Sequence, residues 1–330
     1  MFRLYSCAVT MTVVAQSAVA ACNDGDIRDY LSPADLTAVE SAAADTPFGN
    51  GTIWTATRDD DQITVVGTLH LSDPRLAPIV ARLTPAITDA DLLLVEAGPQ
   101  EEAQLTAAIT EDPSLIFLTD GTTLSERMDP AAFVALSRAV EARGLPAATA
   151  AQMKPWYLSL TLAMPVCAQS DLLDGKRGLD ATLMDIAAGA NVSVQAVEPW
   201  DTLFNILAGD PIDEQVADLN LALMPDDLGN AMTATMLDSY FAGDIATLWE
   251  LSRAANRQID AMSPIEADAL FAKMETQMLT DRNHDWMPVI TDAVDAHDRI
   301  VLAVGAAHLP GADGVLSLLQ ADGWTVTPGL

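Results

Sequence analysis

Two histidines stand in the same short context at opposite ends of the chain. His70 follows Val65-Val66-Gly67-Thr68-Leu69, and His308 follows Ala303-Val304-Gly305-Ala306-Ala307, 238 positions later. Each context is an apolar run followed by Gly-x-x-His-Leu, and the pair makes up half of the 4 histidines in the sequence. Neutral imidazole is the commonest protein metal ligand and a ready general base. Two other apolar runs end in carboxylates: Leu92-Leu93-Leu94-Val95 precedes Glu96, and Val194-Gln195-Ala196-Val197 precedes Glu198. In open α/β sheets ligands gather at the carboxyl ends of strands, so runs ending in His, Glu, Glu and His describe a site along one sheet edge.

The donor types decide which chemistry that site could perform. His70, His308 and Glu96 form the set of an open, catalytic divalent-metal site. Such an ion lowers the pKa of bound water and polarises a scissile carbonyl. Glu198 is then a reserve acid or base, or the partner that fixes an imidazole tautomer. Without a metal, a His–Glu pair still performs general acid–base work. Arg282-Asn283 could bind a carboxylate or phosphate through the guanidinium fork.

Each residue also has a plainer reading. A histidine after a strand is often a hydrogen-bonded core residue. Glu198, followed by Pro199-Trp200, could be a solvated strand end. Asp180 suits a helix N-cap, Arg282-Asn283 a helix C-terminus, and His284 and His297 sit among charged residues. Gly67 and Gly305 remove a Cβ where the backbone turns sharply or approaches a ligand. The chain contains no P-loop, no G-x-S-x-G and no H-E-x-x-H, which argues against several nucleotide-binding and hydrolase classes.

The elements that must position these residues alternate between strand and helix. Residues 53–56 and 63–67 predict a hairpin around the acidic turn Arg58-Asp59-Asp60-Asp61. Further buried strands are predicted at 92–95, 192–197 and 300–304, with a last edge strand at 324–327. Phe133, Leu136 and Val140 share a helical face ending near Gly144, and a helix around Leu183, Ile186 and Ala187 should stop near Gly189. Ser263-Pro264-Ile265-Glu266 is a capping box, followed by a core-facing stripe of Leu270, Met274 and Met278. The pattern predicts an α/β fold: a central mixed sheet built from both ends of the chain, with helical insertions covering it. No linker divides residues 22–330, which read as one domain.

Half of the 330 residues are hydrophobic and 19% are charged, as in a globular chain. A net charge of −31 with three lysines repels phosphate backbones, so nucleic acid is not an expected partner. Arg3, the apolar stretch 4–14 and Ala18-Val19-Ala20 predict a signal peptide over residues 1–21. No later apolar run reaches the roughly 18 residues of a membrane span. The expected location is therefore periplasmic or secreted. Two readings of the remaining cysteines stay open: a Cys22–Cys167 disulfide, or a lipid anchor on Cys22 in Val19-Ala20-Ala21-Cys22.

Taken with Gly178-Leu179-Asp180, Trp286-Met287 and Pro310-Gly311, these motifs resemble the TraB/GumN family. That family is related to the TIKI-type metalloproteases and more distantly to erythromycin-esterase-like and haem-binding lipoproteins. The resemblance runs from about residue 45 to the C-terminus. It implies two related halves, each offering a Gly-x-x-His. For the TIKI branch it implies peptide-bond hydrolysis supported by manganese or cobalt; zinc suits the same donors. It places His70, Glu96 and His308 at the centre, with Arg282 and Asn283 nearby. The expected function is an exported metal-dependent hydrolase acting on a peptide or small molecule. The alternative is a non-catalytic protein that binds a metal complex, haem or a small ligand. An aromatic content of 5% gives haem no special support.

Overall fold

The computed structural model describes Cys22, residues 24–258 and residues 262–329, so the expected signal peptide over 1–21 lies outside the described residues. The acidic turn forms as expected. Strands β1 (Ile53–Arg58) and β2 (Asp61–Thr68) pair antiparallel, with Arg58 opposite Asp61 and Asp59 at a φ of 52°. Aspartate tolerates that left-handed conformation better than most side chains do.

Four more strands complete one mixed sheet: β3 (Leu92–Val95), β4 (Ser193–Ala196), β5 (Arg299–Gly305) and β6 (Thr325–Pro328). Their order is β4-β3-β5-β2-β1-β6. Strands β4, β3, β5 and β2 run parallel, while β1 is antiparallel to both β2 and β6. The two ends of the chain thus meet mid-sheet, where Thr68 is in register with Gly305. Val95 lies opposite Ala303 and Ala196, so the four parallel strands deliver their carboxyl ends to one edge.

Burial on both faces explains why the central strands read as unbroken apolar runs. Ile300, Leu302 and Val304 point to one side, against Trp286, Ile290 and Leu316. Val301 and Ala303 point to the other, against Leu83, Ile87, Leu183 and Ala187. Each fully buried Leu or Ile contributes roughly 1.5–3 kcal/mol. A second, all-helical core gathers Leu124, Leu136, Val140, Trp156, Leu158 and Leu219 from the insertions after β3 and β4.

Two helix ends differ from expectation. The helix Leu179–Ala190 runs through Gly189 and stops at Asn191, which takes the left-handed cap at φ 58°. The Ser263 capping box starts a helix as expected, but that helix does not end before Arg282. It passes from Pro264–Glu275 through a π-helical turn, Thr276–Thr280, into Asp281–Ala296. Leu270, Met274 and Met278 are only half-buried, and the fully buried positions are Ala267 and Phe271.

Cys22 and Cys167 form a disulfide with Cα atoms 5.3 Å apart, the first of the two readings of these cysteines. The bond closes a separation of 145 residues. Reducing it is expected to cost about 2–4 kcal/mol. A drop in denaturation midpoint on adding reductant, absent in Cys22→Ser/Cys167→Ser, would show it. Among the described residues, no helix is long and apolar enough to cross a membrane.

Candidate active site

The carboxyl edge carries His70 after β2, Glu96 after β3, Glu198 beyond β4 and His308 after β5, and the helix Asp281–Ala296 lays Arg282 across them. Arg282 is 5% exposed and uses every donor it has. Its Nε and Nη2 grip the two Glu198 oxygens at 2.8 and 2.7 Å, and Nη2 also reaches Glu96 Oε2 at 2.6 Å. Its Nη1 donates to Met278 O at 3.0 Å and to His308 Nε2 at 3.2 Å. Met278 belongs to the π turn, a distortion often found at functional sites. Glu198 is therefore not a solvated strand end: it takes a third bond, from Trp286 Nε1 at 2.9 Å. Arg282-Asn283 are not a helix C-terminus either; both lie buried in the first turn beyond the π segment.

The network settles the state of His308. A guanidinium can only donate, so Nε2 of His308 accepts. Asn283 Nδ2 faces the carbonyls of Asp313 and His308, at 2.9 and 3.4 Å, which turns its Oδ1 toward the ring. His308 Nδ1 then donates to that Oδ1 at 2.6 Å. The imidazole is neutral with its proton on Nδ1. Burial pushes its pKa down to about 4, and the adjacent Arg282 charge acts the same way while Glu96 opposes.

Glu96 behaves oppositely. Burial alone would raise its pKa, but His308, which is protonated below about pH 4, Arg282 and the Gly305 N–H, which donates to Oε1 at 2.6 Å, bring it down to about 2. His70 is the exposed member, with 68% of its side chain open to solvent. Its Nδ1 sits 3.0 Å from Asp180 Oδ1, and that hydrogen bond raises its pKa to about 8 against the opposing effect of desolvation. Asp180 is not an N-cap. Gly178 holds the cap position and Asp180 lies in the first turn, free to reach the ring.

Close backbone contacts set that pair. Leu179 N–H donates to Leu69 O at 2.8 Å, docking the helix start against the β2 exit. A Cβ on Gly178 would collide with the carbonyls of Leu69 and His70. Gly178→Ala is therefore expected to cost roughly 1–3 kcal/mol and to separate Asp180 from His70. An NMR titration would show the His70 pKa falling from about 8 toward its ordinary 6.5. At the sheet centre, a Cβ on Gly67 would come within 2.9 Å of Ala306 Cα. On Gly305 it would stand 3.1 Å from Glu96 Oε1, 3.6 Å from His308 Cδ2 and 3.8 Å from His70 Nε2. The missing side chain leaves a cradle shared by all three.

Residues 52–328, from the start of β1 to the end of β6, match the TraB/PrgY/gumN family. The chain belongs to that family. No curated protein matches it. In this TraB/PrgY/gumN chain the matched span contains every residue of the cluster, while the N-terminal helix Pro33–Asp45 precedes it.

The donors suit a divalent cation in type and charge. Glu96, Glu198 and Asp180 set three carboxylates against the Arg282 guanidinium and, below about pH 8, a protonated His70, so the cluster keeps one surplus negative charge. His70 presents an open Nε2 while a carboxylate holds its Nδ1, the usual arrangement around a metal-ligating histidine. The set is not preassembled: among the described residues, no three His, Cys, Asp or Glu side chains are placed to hold a metal ion. His308 Nε2 lies 3.9 Å from Glu96 Oε1 but is engaged by Arg282.

Proposed function

We propose that the chain is a hydrolase centred on the cradle beside Gly305, where His70 and Glu96 hold a divalent ion. The observation that carries this reading is the convergence of an open imidazole nitrogen and an anionic oxygen on the space Gly305 leaves, inside a cluster short of positive charge. When bound, the ion supplies Lewis-acid polarisation and a more acidic water. Asp180 fixes the His70 tautomer so that Nε2 faces the cradle. Arg282 and the Gly305 N–H hold Glu96 in its ionised form. Glu198 and Trp286 anchor Arg282, and Asn283 keeps the His308 lone pair on Nε2. His308 Nε2 would be the third donor to such an ion if it were freed from Arg282 Nη1.

The engagement of His308 by Arg282 favours a second reading, in which no ion binds. Neutral His70 then takes a proton from water at Nε2 as the water oxygen attacks a carbonyl, and returns it to the leaving group. With either reading goes an extracytoplasmic location as part of the proposal, supported by the N-terminal leader pattern and the disulfide.

The deciding measurement is metal content, together with turnover of a peptide and ester panel, for the wild type, His70→Ala and Gly305→Ala. A stoichiometric ion lost in both variants, with melting temperature retained, supports the metal-assisted centre. Turnover by protein that binds no manganese, cobalt or zinc supports the His70 base. Tight binding of a small ligand without turnover would sink both in favour of a binding protein.

A further inference from the structure

A groove of about 450 Å³ runs along the outer side of β4 and ends at Glu198. The strand is the edge of the sheet, since it pairs only with β3. The hydrogen bond from Val197 N–H to Val95 O at 2.8 Å sets the phase of that pairing. In a parallel ladder the N–H and C=O of one residue point the same way and successive residues alternate. Ser193 and Gln195 therefore face β3, while Val194 and Ala196 direct their N–H and C=O groups outward into the groove. Among the described residues, no hydrogen bond to these four groups is formed.

Natural sheets usually blunt such an edge with proline, charge or a covering element. The opposite edge, β6, contains Pro328. Strand β4, Ser-Val-Gln-Ala, has neither proline nor charge, and an open groove lies beside it. Val289 and Pro199 give the groove apolar walls, Glu101 gives it negative charge, and no cationic side chain lines it. Glu198 is also the carboxylate that Arg282 grips, so groove and cluster are continuous.

We infer that the β4 edge docks an extended, cationic peptide segment, which adds to the sheet as a seventh strand through the outward groups of Val194 and Ala196. Main-chain bonds supply affinity in this mode, and the flanking walls and the Glu101 carboxylate select side chains. The inference concerns binding and holds whether or not the segment is cleaved. It therefore stands or falls separately from the hydrolase reading.

The test uses an end-blocked, fluorescein-labelled octapeptide of alternating lysine and valine, titrated by anisotropy against the full protein carrying His70→Ala. Two N-methylated versions accompany it, one methylated on every lysine amide and one on every valine amide. Each removes the donors along one edge of the strand only. One version is expected to lose binding at least about tenfold, the loss of roughly one hydrogen bond, and the other to bind like the parent. Ala196→Pro deletes an outward donor without touching the β3 ladder, a position where edge strands accept proline. It is expected to weaken the parent peptide by a similar factor, with an unchanged circular dichroism melt. Val194→Pro repeats the test should Ala196→Pro not fold. No binding of the parent peptide, equal binding of both N-methyl versions, or undiminished binding by a folded proline variant would overturn the proposal. Peptide binding with no turnover by the wild type would keep the docking edge and remove the hydrolase.

Discussion

Arg282→Met is expected to destabilise the protein by about 3–5 kcal/mol, the range for removing one partner of a buried ion pair. The guanidinium supplies two bonds to Glu198 and one to Glu96, and both carboxylates are largely buried. Without it they face each other through an apolar thioether chain. Arg282→Lys is expected to recover little, because an ammonium has three donors on a point charge and cannot reproduce the planar fork. Adding Glu96→Gln and Glu198→Gln to Arg282→Met should restore most of the loss by removing the orphaned charges. Urea unfolding of the four proteins measures this, and Arg282→Met within about 1 kcal/mol of wild type would show that the network contributes little.

The same groups give metal-free protein a defined response to pH. The folded-state pKa of His308 lies below its ordinary 6.5, at about 4, so the unfolded chain takes up that proton first. Stability is therefore expected to fall as pH drops from about 6.5 toward 4, and Glu96 adds its own loss between 4.5 and about 2. His70 works the other way. Its pKa is raised to about 8, so its contribution is complete below 6.5 and disappears as pH rises through 8. The three together set an optimum near pH 6.5. In Arg282→Met the penalty should shrink in acid, where protonation relieves the unpaired carboxylates. A melting curve that is flat from pH 8 to 4 would contradict the assignment of His308 as a buried neutral ring.

The strands and their shared edge were legible because burial on both faces leaves an unmistakable trace: Leu92-Leu93-Leu94-Val95 and Ile300-Val301-Leu302-Ala303-Val304 have no polar interruption. The residues that close each run were equally visible, which is why His70, Glu96, Glu198 and His308 could be named before their geometry. Their pairing was not. Arg282 reaches across 186 positions to Glu96 and 84 to Glu198, and no local spacing encodes such a contact. The capping box at Ser263 and the apolar stripe predicted the helix but not its continuation, because a π turn depends on tertiary contacts and not on periodicity. By sequence Asp180 suits a cap, since aspartate near a helix start normally is one. The glycine at 178 carried the missing signal. It lets the helix approach the β2 exit so closely that the first-turn carboxylate meets His70 instead of its own backbone.

Asp180→Asn is expected to expose which proton or ion the site handles. An amide can still sit against Nδ1, but it carries no charge and can turn its NH2 to the ring, which reverses the tautomer. If His70 and Glu96 hold a divalent ion, affinity should fall about 10–100-fold, the cost of losing an orienting carboxylate behind a ligating histidine. If His70 is instead the base of a metal-free reaction, turnover should fall by about four orders of magnitude, as when a base is held in the wrong tautomer. The residual activity would then lose its dependence on a group titrating near pH 8. His70→Ala removes the centre in both cases and sets the floor. Calorimetric metal titration combined with a pH–rate profile separates the outcomes, because the first moves only when an ion is held and the second when a proton is. Asp180→Asn that changes neither would leave the His70–Asp180 pair a structural clasp between the β2 exit and its neighbouring helix, and would move the chemistry to the buried side of Glu96.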